Sequence, residues 1–184
     1  MSSRPLLPGF LLFLSCCMPC AAFAQGPPAG GAELGQLDIS SGRWVYHGHF
    51  LSAAGAQRGA WTWHEDCRWS ANRAFMLCSF SNTWAGRHVD SVVVDTYNRR
   101  DESFWHYEIF DDDSSPGKPF ASQMRIDGST RTESWTETHQ GETVHVRIVY
   151  KFASDRSVTV VFQESKDGTS WRTTASGTGE KTGP

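Results

Sequence analysis

From Gly42 to Ser176 apolar and polar residues alternate with a period of two, segment after segment, and no stretch carries the 3.6-residue spacing of an amphipathic helix. Over residues 42–51 Trp44, Tyr46, Gly48 and Phe50 fall to one side, and Val45, His47 and His49 to the other. Over 59–69 Trp61, Trp63, Glu65, Cys67 and Trp69 share a face, which the next strand meets with Met76, Cys78, Phe80 and Asn82. Further alternating segments at 89–97, 102–110, 122–127, 131–138, 143–152, 157–164 and 171–176 are separated by polar turns such as Asn98–Asp101, Asp127-Gly128 and Lys166-Asp167-Gly168. The pattern predicts an all-β fold: a single antiparallel meander that closes into a β-barrel of about 8–10 strands, because closure removes unpaired edges. One short helical turn over 33–40, with Leu34, Leu37 and Ile39 as its apolar side, precedes the first strand.

The first residues stand apart from this pattern. Arg4 is the only charge before Glu33, residues 6–17 are strongly apolar, and Ala22-Phe23-Ala24 carries small residues at both positions a signal peptidase reads. Residues 1–24 are therefore expected to be a secretory signal peptide whose apolar run is too short to span a membrane. The expected layout continues with a flexible leader over 25–33, the barrel domain over 34–176 and a Gly-rich, disordered tail over 177–184. Export implies a periplasmic or secreted protein with no membrane span once the signal is removed. Loss of Arg4 makes the formal net charge of −3 one unit more negative. No basic patch or charged tail points to nucleic acid.

Export also changes the meaning of the cysteines. Cys16, Cys17 and Cys20 leave with the signal, and Cys67 and Cys78 remain. A hairpin centred between Asn72 and Arg73 pairs 70 with 75, 69 with 76, 68 with 77 and 67 with 78. The two cysteines then stand opposite each other on one face, and a cross-strand disulfide is expected.

Candidate chemistry is sparse. His47 and His49 form a two-ligand clip on the face opposite Trp44, and no third ligand follows from spacing, so no metal site is expected. There is no Gly-x-Ser-x-Gly elbow and no glycine-rich phosphate loop. No catalytic residue and no cofactor are assigned. Eight tryptophans run through the strands, and a barrel lined with aromatic rings suits an apolar or amphipathic small molecule. The expected ligand contacts are Trp61, Trp63, Trp69, Phe80, Trp105 and Tyr107 for the aromatic surroundings, with Glu65 and His106 as polar contacts. Trp105 and Tyr107 face opposite to His106, so this set is divided between the two faces.

The start of the first strand, Ser41-Gly42-Arg43-Trp44, resembles the Gly-x-Trp signature of lipocalins and related calycins. The wider layout is more similar to a bacterial calycin-like group, domain of unknown function 1579. That likeness rests on Gly42-Arg43-Trp44, Trp63-His64-Glu65, Arg73-Ala74-Phe75, Val93-Val94-Asp95, Phe104-Trp105 and the run from Glu164 to Trp171. It implies a cavity-bearing barrel in which Trp44 closes one end beneath a helical turn. An Arg packing over that Trp has no clear counterpart; Arg172 is the candidate by order, and Gly179-Glu180-Lys181 replaces the usual terminal motif. The resemblance implies a fold without a reaction. Three functions follow as expectations: an exported, non-enzymatic binder of a small apolar or amphipathic molecule; a barrel-cavity isomerase or hydrolase using Glu65, Asp95 or Glu108 as base; and a structural or interaction protein of the cell envelope.

Overall fold

Among the described residues, ten antiparallel strands follow one another around a closed barrel, each paired with its neighbours in sequence and the last with the first. A computed structural model describes residues 31–184 apart from 85, 112–116, 118, 140 and the side chain of 84. The strands are β1 (Gly42–Leu51), β2 (Gln57–Trp69), β3 (Phe75–Trp84), β4 (Arg87–Asn98), β5 (Ser103–Asp111), β6 (Pro119–Asp127), β7 (Thr130–His139), β8 (Glu142–Ser154), β9 (Ser157–Ser165) and β10 (Arg172–Gly183). Burial alternates along them as the hydrophobic pattern requires: in β2, Trp61, Trp63, Glu65 and Cys67 are buried while His64, Asp66 and Arg68 are exposed. The expected signal peptide and most of the leader lie outside the described residues.

A short helix α1 (Gly31–Gly35) continues into a 3-10 turn, Gln36–Ser40, and together they plug one end of the barrel. Leu34 and Leu37 are its buried apolar side chains, packed with Cys67, Met76, Val93, Phe104 and Met124. Polar ties fix the plug. Asp38 Oδ1 accepts from Trp69 Nε1 at 2.7 Å and from Arg73 Nη2 at 2.6 Å, and the Ser40 carbonyl accepts from Trp44 Nε1 at 3.1 Å. Gly42 leaves the plug with φ +98°, where a Cβ would lie 2.7 Å from the Gly183 carbonyl oxygen, so the glycine of the Gly-x-Trp motif has a steric reason.

The hairpin register around Asn72 and Arg73 is the expected one. Trp69 pairs with Met76 and Cys67 with Cys78, and the two cysteines are joined by a disulfide. The late motif also has a structural role. Asp167 accepts the backbone N–H of Thr169 at 2.8 Å and of Ser170 at 2.7 Å, which ties the turn between β9 and β10.

The C-terminal segment differs from expectation. Residues 177–183 are not a disordered tail; they are the second half of β10, and they close the barrel by pairing with β1 from Arg43↔Gly183 to Phe50↔Ala175. The glycines that suggest fraying have a packing cause. A methyl at Gly177 would meet the Trp61 ring and the His47 carbonyl, and one at Gly179 would overlap the Tyr46 ring. Large inward side chains of β1 and β2 lie across a strand kept bare to admit them. Lys181, on the same segment, places its Nζ 5.3 Å from the Trp44 ring centroid. Lys181 therefore supplies the cation over the first-strand Trp, and Arg172 does not: it sits at the other end of β10, paired with Glu164 at 2.8 Å.

Candidate functional site

The barrel end opposite the plug opens into a cavity of about 570 Å³ inside the lumen. Its walls carry Phe50, Trp63, Phe80, Phe110, Phe120, Trp135 and Phe162, with Val146, Ile148 and Ala175 between them. The rings meet at edges: Phe120 and Trp135 centroids are 5.1 Å apart and nearly perpendicular, and Trp63 and Phe162 are 5.7 Å apart at 78°. At the mouth stand Asn82, Arg87, Glu137, His139 and Glu164. His106, Glu108, Glu133 and Tyr150 face the cavity from deeper positions and make its polar floor. Hollows of about 1050 and 660 Å³ lie against the outer wall, lined mainly by outward residues such as Val45, His64, Val92 and Ile109, or His47, His49 and Thr62. Among these, the lumen combines the aromatic wall with converging polar groups.

Beneath the floor lies a buried ionic network. Arg131 of β7 reaches Asp95 Oδ2 of β4 at 3.1 Å and the Glu133 carboxylate two residues along its own strand, and it donates to Ser40 Oγ of the plug at 3.1 Å. Its guanidinium also lies 5.1 Å from the Tyr150 ring centroid. His106 of β5 contacts Asp95 Oδ1 through Nδ1 at 2.8 Å, while its Nε2 is 3.5 Å from Glu108 Oε2. The other Glu108 oxygen accepts from Ser91 Oγ at 2.5 Å. Burial alone would raise the Asp95 carboxyl, but Arg131 and then His106 outweigh it and hold the group below its usual range. Burial would likewise lower His106, yet Glu133 and Asp95 carry it well above its ordinary value. His106 is thus held as a cation inside the barrel.

Glu65 sits apart from the strongest cations. Burial pushes its carboxyl from 4.5 up to about 7, against the pull of Arg131 and a hydrogen bond from Tyr46. Its Oε1 is 2.8 Å from Cys67 Sγ. That sulfur is in the disulfide and has no proton to give, so the contact becomes a hydrogen bond only when the carboxyl is protonated and donates. The grouping of Glu65 with Cys67 and Cys78 is no metal site for the same reason: neither sulfur is a thiolate.

The expected ligand contacts fall in different places. Trp63 and Phe80 line the lumen, and His106 lies at its floor. Trp61 is 1% exposed and packed solid behind the cavity, stacked on Trp63 at 5.1 Å. Trp69 belongs to the plugged end, under Arg73. Glu65 is buried but does not line the cavity. Trp105 and Tyr107 stack on each other at 6.0 Å outside the barrel, where Tyr107 is 42% exposed, so they cannot line the lumen. Strand alternation dictates this, because Phe104 and His106 take the inward positions. The hydrophobic pattern does not single out Arg131, Glu133, Trp135 and Glu137, although they share one face of β7 at alternate positions. An arginine on the same strand face as a tryptophan was the available signal.

No protein-family model matches this sequence, and no curated protein matches it. The crystal structure of Rv2717c from M. tuberculosis is similar in fold, with a TM-score of 0.52 at 8% identity, over 83% of this chain and 98% of that one. The likeness is one of barrel architecture.

Proposed function

We propose that this protein is an exported, lipocalin-like binding protein that takes a small amphipathic molecule into its lumen, apolar part against the aromatic wall and polar group toward the floor. The calycin-like group named above is the family reading that goes with it. One observation carries the proposal: a cavity of about 570 Å³, in the usual range for small-molecule sites, joins an aromatic wall to a few converging polar groups. Trp63 and Phe80 remain the wall contacts from the sequence expectation, and His106 the polar one. Support for export is the disulfide, which persists in oxidising compartments. Among the described residues no helix is long and apolar enough to cross a membrane. The test is titration of the mature protein with a graded set of lipid and aromatic probes, read by tryptophan emission and by the thermal midpoint. A ligand of the folded state quenches the first and raises the second. If no probe moves either signal, the proposal fails.

A further inference from the structure

The floor of the lumen holds more negative than positive groups. Asp95, Glu108 and Glu133 share two cations, Arg131 and His106. Arg131 is taken up by Asp95, Glu133 and Ser40, and His106 Nδ1 by Asp95. Arg131 and Asp95 do not line the cavity, whereas Glu108 does. Glu108 is left with a neutral hydroxyl on one oxygen and, on the other, the His106 ring at 3.5 Å. At 14% exposed, it is the wettest member of the network. The mouth carries both signs, Arg87 and His139 with Glu137 and Glu164, and leaves this imbalance in place.

The surroundings of Glu108 suit a cation. Phe110 follows two positions along β5, Phe120 stands directly across on β6, and Trp135 meets Phe120 edge-on. On the other side Ser91 pairs with both Phe80 and Phe110. An ammonium beside a carboxylate and among ring faces gains from both, and most where water is excluded. Two polar atoms buried beside the cavity wall also lack a partner. The indole N–H of Trp63, a cavity-lining residue only 5% exposed, has no hydrogen-bond partner. Neither has Oδ1 of Asn82, which pairs with Trp63 across the β2–β3 ladder and also lines the cavity. Buried groups of this kind are normally satisfied.

We propose that the lumen selects amphipathic organic cations, with a protonated amine against Glu108 and an apolar body along the aromatic wall. This rests on the reading of the lumen as a small-molecule site. The amine supplies the missing positive charge.

The experiment compares three probes with one apolar body, n-decylammonium, n-decanol and n-decanoate, below their micellar concentrations, on the mature protein. Binding is read by tryptophan emission and thermal midpoint. The expected order is decylammonium tighter than decanol by about tenfold or more, with decanoate weakest. Glu108→Gln should lower decylammonium affinity about tenfold and close the gap to decanol. If decanol or decanoate binds as tightly as decylammonium, the cation preference is overturned and the binding role stands. If none of the three binds and the wider probe set also fails, the binding role itself falls. Should Glu108→Gln not fold, the head-group order on the unmodified protein decides alone.

Discussion

Arg131 Nη2 lies 3.1 Å from Asp95 Oδ2, and neither side chain is more than 6% exposed. The pair links β7 to β4 past the two strands between them, and through Ser40 it reaches the plug. Removing one partner of such a pair is far more damaging than replacing both, because the survivor is left charged and buried. Arg131→Met keeps most of the volume, takes the short-range cation from Glu133 and leaves Asp95 with His106 alone. The expected loss is about 3–5 kcal/mol in urea denaturation. A loss under about 1 kcal/mol would mean that the network does not tie β4, β7 and the plug together.

Glu65 gives a pH signature of definite sign. Its carboxyl titrates near 4.5 when unfolded and at about 7 in the fold. The folded state therefore holds the proton more tightly. The stabilisation is complete below 4.5 and is lost as pH rises through about 7, by roughly 3 kcal/mol. Glu65→Gln mimics the protonated form. It should flatten the stability curve over that window and exceed the native protein in stability at about pH 8. Denaturant titrations of both proteins across the window read the difference directly, and parallel curves would contradict the assignment.

Asp95 acts at the other end of the scale. Its carboxyl is held below 3.8 in the fold. The support it gives is present above that value and disappears as acid protonates the folded state.

The disulfide closes a loop between residues 11 apart, and both cysteines are 3% exposed. In the chain-entropy account a loop this short contributes about 2–3 kcal/mol. Replacing both cysteines with alanine should lower stability by that amount and leave the barrel closed. Thiol reagents applied after reduction should label the pair only as the protein unfolds.

How much of this was legible in the sequence follows from what each feature depends on. Strand alternation, the Cys67↔Cys78 register and the plug leucines are local patterns, and periodicity reports them. The buried network is not local: Arg131 meets Asp95 across 36 positions of sequence and is defined only once β4 and β7 curve around the same lumen. Trp105 and Tyr107 carried the wrong promise because residue type says nothing of which face a strand turns inward. The segment from Gly177 to Gly183 looked frayed because glycine lowers local propensity, whereas its bare backbone is what Trp61 and Tyr46 require.

A chain ending at residue 176 loses the pairing of β10 with Arg43 through Gly48 and exposes both edges of the opened sheet. It should aggregate or fail to fold, with loss of near-ultraviolet dichroism. A truncated chain with native stability would contradict the closure described for β10.

A binding role requires that a molecule can enter the lumen. Val146 lines the cavity, directly opposite Trp135 and Glu164 on the neighbouring strands, and is not part of the ionic network. Val146→Trp fills the space from one wall. The deciding measurement is equilibrium binding of one neutral hydrophobic dye to the native protein and to this variant, with folding checked by far-ultraviolet dichroism. Saturable one-to-one binding by the native protein, lost in folded Val146→Trp, is the predicted result. Equal binding by both proteins, or none by the native one, would contradict it.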